Sequence, residues 1–384
     1  MFTINKKIIL RRIFLNLIII AIFSCSKTPE YTLIEVKEGY KVANNRNIPS
    51  DPNYNIIVNE IGVIKKIWFR ETNGGPANFL KVSDKGDIFA YNYKTNRIIK
   101  YSDKGDSLLS FGGLGYGPGE LKNVSNIYIE KDTLKAYMID QKKYNLYSLS
   151  GKFISSKPFY DLNETRPVWL NEDQFKIYEF SYIPLSENRY LRFLNGWNKT
   201  HWGEEFSLIE NKKKTILKDG LKKLSMDKFA MEYLKYSINK DFISYAENSK
   251  DYFKINIFDR EGRKKLVINR YYKKERYPLA VIKAAQAINP NIKGSSFKYM
   301  QAIFDLNLDK YNRYWVRTLK DRSSPRFYNN YEIYDDKGKY LNKIDFGEQL
   351  NFSTIYFIFF EKDKMFVYGK ITEEEDSELH IYNY

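Results

Sequence analysis

Short apolar segments separated by polar turns run along most of the chain, and residues 83–113 show the pattern most clearly. The residues Ser-Asp-Lys-Gly-Asp occur twice there, at Ser83–Asp87 and at Ser102–Asp106. An apolar segment, a polar turn and a second apolar segment lie between the two copies. Glycine can adopt the positive φ that a tight hairpin needs, and serine or aspartate side chains can hydrogen-bond to the turn backbone. The pattern therefore predicts consecutive β-hairpins.

The same combination of strand, turn and strand recurs at a regular interval. Its glycine-containing copies have their turns at Gly105, Gly151, Gly262 and Gly338, which are 46, 111 and 76 residues apart. The interval of 111 residues spans two periods and contains a copy without glycine at Leu208–Ile216; the interval of 76 is one period plus an insertion. Leu379–Tyr384 is a sixth copy that ends before its turn. A period of roughly 40–50 residues is typical of β-propellers, so the sequence predicts an all-β, six-bladed β-propeller of four-stranded antiparallel blades.

Closure of the ring requires one further strand, because the sixth copy lacks a fourth strand of its own. An N-terminal strand could complete that blade and remove two exposed sheet edges. The candidates are Tyr31–Val36 and Tyr54–Val58. A short helical insertion is predicted near 278–290, where Pro278 precedes an alanine-rich segment. A second helix is predicted within Asp219–Tyr236.

Composition agrees with a β fold that has a sizeable core. Aromatic residues make up 17% of the chain and include 33 tyrosines and 26 phenylalanines, which suit the half-buried surfaces of sheets. Hydrophobic residues reach 43%, too many for a disordered chain.

The N-terminal segment resembles the signal peptide of bacterial lipoproteins. Four basic residues at positions 6–12 precede the apolar run Ile13–Phe23, which is shorter than the roughly 20 residues that span a bilayer. Ile22-Phe23-Ser24-Cys25 is similar to a lipobox, although Phe23 is bulkier than the pattern prefers, and the resemblance implies lipid attachment at Cys25. The implied domains are a signal peptide (1–24), a lipidated tether (25–30) and the propeller (31–384). Cleavage without lipidation and an uncleaved anchor are the alternatives.

Residues 81–121 resemble an NHL-type propeller repeat. The resemblance rests on four segments: Ile88–Asn92, Asn96–Ile98, Lys100–Gly105 and Gly112–Glu120. The first blade has Asn92 where these repeats commonly carry aspartate, whereas the second has Asp140. The whole chain is similar to six-bladed β-propeller lipoproteins of Gram-negative envelopes, a family mostly without assigned function.

Charge and cysteine content limit the partners. The formal charge is +16, and residues 1–24 carry four positive and no negative charges, so the remainder carries about +12. Nucleic acid is not expected as a partner of an exported chain; an anionic envelope surface or polysaccharide fits better, and a merely basic solvated exterior is the alternative.

Cys25 is the only cysteine, so no disulfide forms within the chain. We expect a monomer.

The sequence offers few catalytic or metal-binding groups. His201 and His380 are the only histidines, and neither HExxH nor GxSxG occurs, so no catalytic residue, cofactor or metal site is predicted. The glycine-rich Gly112–Glu120 lacks the spacing of a phosphate-binding loop and is interpreted as a crossover between blades. The acidic run Glu373–Asp376 is interpreted as a solvated hairpin tip rather than a calcium loop.

The most suggestive loop is Asn195–Gly203, which contains Trp197, His201 and Trp202. Its indole rings could stack on a sugar or a peptide side chain. Alternatively, the two tryptophans pack between the third and fourth blades.

We therefore predict a lipid-anchored protein of the cell envelope, in the outer membrane, that recognises a glycan, a peptide or a membrane-protein partner. A lyase or lactonase of the NHL-propeller type, acting at the central channel, is the alternative, and a structural accessory subunit is a third possibility. An aromatic, basic rim around the channel would favour binding, and carboxylates clustered at one mouth would favour catalysis.

Overall fold

The computed structural model describes residues 32–69, 75–138, 141–158, 176–186, 189–197, 201–211, 213–223, 235–247, 249, 251–274, 276, 279, 283, 287, 299, 301–318, 329–372 and 374–384. These residues form six β-sheets, five with four antiparallel strands and one with six strands, of which one pair is parallel. The first strands of four of the six pairs of neighbouring sheets contact one another around the centre. The predicted six-bladed β-propeller is confirmed.

The first three blades follow one another along the chain, each with its innermost strand first. Blade 1 contains β4 (Leu80–Val82), β5 (Ile88–Asn92), β6 (Arg97–Tyr101) and β7 (Ser107–Gly112). Blade 2 contains β8 (Asn126–Glu130), β9 (Thr133–Met138), β10 (Lys143–Ser148) and β11 (Phe153–Pro158). Blade 3 contains β12 (Lys176–Ser186), β13 (Arg189–Trp197), β14 (His201–Glu210) and β15 (Lys213–Lys223).

Among the last three blades, blade 5 is consecutive in the chain, whereas blades 4 and 6 add strands from its N-terminal part. Blade 4 contains β16 (Lys235–Ile238), β17 (Phe242–Ala246), β18 (Phe253–Asp259), β19 (Lys264–Arg270), β2 (Tyr40–Asn45) and β1 (Thr32–Lys37). Blade 5 contains β20 (Asp305–Leu308), β21 (Tyr314–Arg317), β22 (Asn330–Tyr334) and β23 (Tyr340–Asp345). Blade 6 contains β24 (Thr354–Glu361), β25 (Lys364–Lys370), β26 (Glu378–Asn383) and β3 (Asn59–Ile64).

The ring closes through β3, an N-terminal strand that pairs antiparallel with β26. Closure by an N-terminal strand is confirmed, but neither predicted segment is that strand. Tyr54–Val58 ends just before β3, and its residues Tyr54, Ile56 and Val58 pack into the core between blades 5 and 6. Tyr31–Val36 overlaps β1, which forms a hairpin with β2 on the outer edge of blade 4. Tyr54–Val58 buries apolar side chains without pairing with β26, whereas Leu33, Ile34 and Val36 of β1 are exposed. Hydrophobic pattern alone cannot distinguish either segment from the closing strand.

The repeated glycine turns join the third and fourth strands of their blades, as the period predicts. In both Ser-Asp-Lys-Gly-Asp copies the glycine has positive φ, +87° at Gly86 and +94° at Gly105. The serine hydroxyl accepts the backbone N–H of the aspartate at 3.1 Å in each copy. The first copy joins β4 to β5 and the second joins β6 to β7, so the motif is a turn that either hairpin of a blade can use.

Antiparallel pairing gives the ring two different faces. Turns between strands 1 and 2 and between strands 3 and 4 lie on one face, here called the turn face. Loops between strands 2 and 3, and crossovers from one blade to the next, lie on the other, here called the crossover face. The turn face carries most of the short charged turns, and the crossover face carries the longer connections.

Hydrophobic clusters hold neighbouring blades together. Separate clusters join blades 1 and 2, 3 and 4, 4 and 5, 5 and 6, and 6 and 1. Between blades 2 and 3 one described contact is a hydrogen bond, which the Tyr128 hydroxyl donates to the Leu185 carbonyl at 2.9 Å. Leu191 and Phe193 of β13 face blade 4, so by strand alternation Arg192 faces blade 2.

Helices are few in the described part of the chain. One four-residue helix, α1 (Phe346–Gln349), is capped by Asp345. Of the predicted insertion, Leu279, Lys283 and Ala287 are described, each exposed and in helical conformation, and the rest lies outside the described residues. The second predicted helix is wrong at its ends, where Asp219–Lys223 belongs to β15 and Lys235–Tyr236 to β16.

Candidate functional site

A cavity of about 140 Å³ lies among the innermost strands at the centre of the ring. Five blades contribute to its wall. Its residues come from the start of blade 1, from β12, from β16, from the start of blade 5 and from the second half of β24: Ala77, Asn78, Lys81, Ile183, Lys235–Ile238, Phe304–Asn307, Arg317 and Phe357–Glu361. Because these strands are short and converge, their polar side chains meet at one place although they are far apart in sequence.

Lys81 and Glu361 form an ion pair in the wall of this cavity. The Lys81 ammonium lies 3.1 Å from the Glu361 carboxylate and also donates to the Ala77 carbonyl at 2.7 Å. Their side chains are only 19% and 21% exposed. An ion pair that is partly shielded from water is held more rigidly than one on the surface. Its ammonium and carboxylate groups can still form further hydrogen bonds.

Arg317 fixes the neighbouring part of the wall. Its guanidinium donates to the backbone carbonyls of Ile355 and Tyr356 at 2.6 and 2.5 Å, so it connects blade 5 to β24. The side chain is 9% exposed. Arg317 therefore adds positive charge to the cavity on a rigid support.

Amide, hydroxyl and carboxylate groups complete the lining. Asn307 donates to the Asp305 carboxylate at 3.1 Å, and Asn78 donates to the Tyr236 hydroxyl at 3.3 Å. The Ser237 hydroxyl accepts the Leu308 N–H at 2.9 Å. Phenylalanines from β24 lie among these polar groups. Hydrogen-bond donors and acceptors, side chains of positive and negative charge, and aromatic rings thus surround one small cavity.

The predicted Trp197, His201 and Trp202 lie on one long hairpin rather than on a loop. Trp197 ends β13, His201 begins β14, and Trp202 pairs directly with Trp197. The hairpin joins strands 2 and 3 of blade 3 and so reaches the crossover face. The side chains of the two tryptophans lie outside the described residues, and His201 is not among the described residues that line the central cavity.

Other sequence-based interpretations can be located. Gly112–Glu120 is a crossover from blade 1 to blade 2, and Glu374–Asp376 lie exposed in the connection between β25 and β26, as predicted. His380 is a buried residue of β26, and its Nδ1 atom lies 2.7 Å from the Glu60 carboxylate of the closing strand.

Cys25 and the predicted signal peptide lie outside the described residues. In the part of the chain that the structure covers, no helix is both long and apolar enough to cross a membrane. Those same residues contain no group of three or more histidine, cysteine, aspartate or glutamate side chains placed to hold a metal ion.

The cavity residues were missed by sequence reasoning. Lys81 stands between Leu80 and Val82 in a three-residue strand, and Glu361 ends an otherwise apolar strand. A single charge in the first strand of a blade is the signal that could have identified them. This signal can be recognised only after the first strand of each blade has been identified.

Comparisons with known proteins bear on the fold. No protein-family model and no curated protein matches the chain. The crystal structure of a member of the duf4221 family from Bacteroides vulgatus is 12% identical, with a TM-score of 0.51 over 85% of this chain and 97% of that one. A Bacteroides fragilis protein is 10% identical, with a TM-score of 0.46 over 89% and 99%. A streptogramin B lyase is 11% identical, with a TM-score of 0.39 over 85% and 97%. The chain is thus similar in fold to the duf4221 structure, and at these identities the likeness concerns the fold alone.

Proposed function

We propose that this protein is a lipid-anchored glycan-recognition propeller of the cell envelope, whose central cavity takes one sugar residue. The observation that carries the proposal is the cavity itself, in which the Lys81–Glu361 pair faces a space also lined by Asp305 and Asn307. Glycan binding is favoured over the lyase or lactonase alternative because hydrogen-bond donors and acceptors line the central cavity on several sides.

The size of the cavity supports a ring-sized ligand. Its volume of about 140 Å³ is close to that of an engineered cavity of about 150 Å³ that holds one benzene molecule. Pockets for drug-sized ligands are larger, at roughly 300–1,000 Å³. A six-membered ring of the size of benzene fits, whereas the substituents of a sugar ring, and the rest of an extended oligosaccharide or peptide, would have to continue outside.

The chemistry of the wall supports a hydroxylated ring. Each sugar hydroxyl offers one donor and two acceptor sites. Glu361 and Asp305 can accept from such hydroxyls, and Lys81 can donate to them. Phe357 and Phe360 add apolar surface for the C–H face of the ring. A peptide side chain usually presents polar atoms at one end only, so it matches fewer of these groups.

The envelope location in this proposal rests on the lipobox-like residues that end at Cys25. A diacylated cysteine would give stable membrane attachment, since stable anchoring takes more than one acyl chain. The propeller would then be held at a membrane surface where glycans are abundant.

Saturation-transfer NMR on the full-length protein in detergent tests the cavity. The probes are glucose, galactose, mannose, N-acetylglucosamine and glucuronic acid at equal concentration. We expect at least one to receive saturation. We expect Lys81→Met to reduce that signal at least fivefold, because a donor is lost and Glu361 is left unpaired. The double variant Lys81→Met with Glu361→Gln removes both charges and serves if the single variant fails to fold.

The matched control is Lys362→Met. Lys362 follows Glu361 directly, but its ammonium lies 2.5 Å from Asp84 on the turn face. This variant should bind as the wild type does. Absence of transfer from every sugar, or equal loss in both variants, would show that the cavity is not a sugar site.

The hairpin tip at Trp197, His201 and Trp202 is a second contact in this proposal. Trp197→Ala with Trp202→Ala should weaken binding of a glycan longer than one sugar without unfolding the protein. Unchanged binding would exclude the tip as a contact, and unfolding would indicate that the indole rings pack between blades.

A further inference from the structure

Two clusters of aromatic and lysine side chains, each with one exposed tyrosine, lie next to each other on the crossover face. Together they are called the aromatic rim: Trp68, Tyr93, Lys94, Tyr116 and Lys122. They lie on the crossover from blade 6 to blade 1, on the loop between β5 and β6, and on the crossover from blade 1 to blade 2. None of these residues lines the central cavity.

The first cluster joins two connections of the ring. The Lys94 ammonium lies 4.1 Å from the centre of the Trp68 ring, within the range of a cation–π contact. The Tyr93 N–H donates to the Trp68 carbonyl at 3.0 Å, so the backbone fixes the pair. The Tyr93 side chain is 43% exposed.

The second cluster lies on a loop that is braced from within. The Glu120 carboxylate accepts the Gly117 N–H at 2.7 Å, and the Leu121 N–H donates to the Gly113 carbonyl at 2.6 Å. The loop presents Tyr116, which is 64% exposed. The Lys122 ammonium lies 2.5 Å from the Tyr116 hydroxyl and 4.3 Å from its ring centre.

The two clusters are adjacent because their connections meet. Arg97, just after the first loop, pairs with Gly112, just before the second. A β-carbon on Gly112 would lie 3.7 Å from the Asn96 carbonyl oxygen. The end of the first loop therefore lies beside the start of the second.

Its two lysines differ from those on the turn face. Among the described residues, neither Lys94 nor Lys122 has a carboxylate within 4 Å, whereas Lys362 pairs with Asp84 and Lys100 with Asp87. Each rim ammonium contacts an aromatic ring and keeps donors for an external anion.

We propose that the aromatic rim binds an acidic polysaccharide, with sugar rings stacked on Tyr93 and Tyr116 and uronate carboxylates paired with Lys94 and Lys122. The inference rests on the proposed function only in taking the partner to be a glycan, and its surface is separate from the cavity. Flat exposed rings suit the apolar faces of sugars, and the unpaired ammonium groups supply the charge complementarity.

An anionic glycan fits the rim better than an anionic membrane does. Insertion into a bilayer interface needs a broad apolar face, whereas Leu114, 65% exposed, is the one large aliphatic side chain exposed on the described part of these connections. Tyr93, Tyr116 and Lys94 form the aromatic and cationic part of the remaining exposed surface, which also includes Thr95, Pro118, Glu120 and Asn123.

Biolayer interferometry on the full-length protein in detergent tests the inference, with polygalacturonate, neutral dextran and anionic phosphatidylglycerol vesicles as probes. We expect polygalacturonate to bind, and Lys94→Ala with Lys122→Ala to weaken its apparent affinity at least tenfold. Tyr116→Ala should weaken it at least threefold, with Tyr116→Phe close to wild type. The control is Lys85→Ala with Lys337→Ala, which removes two exposed lysines from the turn face and changes the net charge equally.

The remaining outcomes would overturn the inference. Equal losses in the two double variants would indicate non-specific attraction to the basic chain. If dextran bound as well as polygalacturonate, recognition of negative charge would be excluded. If the vesicles bound through the rim residues and polygalacturonate did not bind, the surface would be assigned to the membrane. The cavity test uses free monosaccharides and variants of the cavity, whereas this test uses a polymer and variants of the rim, so failure of the cavity proposal and failure of this one are distinguishable.

Discussion

The carbonyl oxygen of Lys104 lies only 2.2 Å from the position that a β-carbon on Gly62 would occupy. Gly62 belongs to the closing strand β3, and Lys104 belongs to the second Ser-Asp-Lys-Gly-Asp turn in blade 1. The contact is reciprocal, because a β-carbon on Gly105 would lie 2.5 Å from the Val63 carbonyl oxygen. The ring is therefore closed by backbone packed against backbone, which only glycine allows.

The two copies of the repeated turn give a matched test of this closure. Gly86 and Gly105 have similar positive φ, but a β-carbon on Gly86 would meet no atom within 4 Å. Gly86→Ala should cost about 1–2 kcal/mol from conformation alone. Gly105→Ala should cost at least about 2 kcal/mol more, because β3 must move away from the turn. Urea unfolding measures both, and equal losses would mean that the contact with β3 contributes nothing.

A buried charge network on blade 3 gives the second prediction. The Glu205 carboxylate is fully buried and contacts Arg192, Lys214 at 3.0 Å and Ser207 at 2.8 Å. Arg192→Met should destabilise the fold by about 3–5 kcal/mol, since it leaves buried charge poorly compensated. Arg192→Met with Glu205→Leu should recover much of that loss, because Lys214 is partly exposed and can reach water. Thermal unfolding measures both variants, and a double variant no more stable than the single one would contradict the prediction.

Much of the fold could be predicted from the sequence because it repeats locally. A glycine turn involves five consecutive residues, and its period along the chain gives the number of blades. The closing strand could not be assigned, because β3 and Tyr54–Val58 are both apolar and only one of them pairs with β26. The cavity was also beyond reach, since Lys81 and Glu361 are 280 residues apart and only the curvature of the ring brings them together.

Glu247, on the crossover face, should make the free energy of unfolding depend on pH in the acidic range. Burial alone would raise the pKa of this carboxyl, but hydrogen bonds from Lys254, Tyr252 and Asn256 outweigh burial and lower the pKa to about 2. Because the pKa is lower in the folded than in the unfolded state, the stabilisation is complete above about pH 4.5 and is lost as the pH falls towards 2.

Glu247→Gln removes this dependence and keeps the side-chain shape. Between pH 6 and pH 3 the wild type should lose about 1–2 kcal/mol more stability than the variant, after allowance for solvent screening. Urea unfolding at both pH values measures the difference. The control is Glu374→Gln at the exposed tip between β25 and β26, which should behave as the wild type. Parallel losses in all three proteins would exclude Glu247 as the source.

Cys25→Ser tests the predicted lipid anchor, because serine has no thiol to acylate. Wild-type protein expressed in a Gram-negative host should sediment with membranes and incorporate labelled palmitate, and the variant should lose the label and leave the membrane fraction. The thermal unfolding midpoint of the propeller should not change, since residue 25 precedes its first strand at Thr32. An unlabelled wild type that is released from membranes would indicate cleavage without lipidation. A variant that still sediments with membranes would indicate an uncleaved apolar segment at residues 13–23 as the anchor.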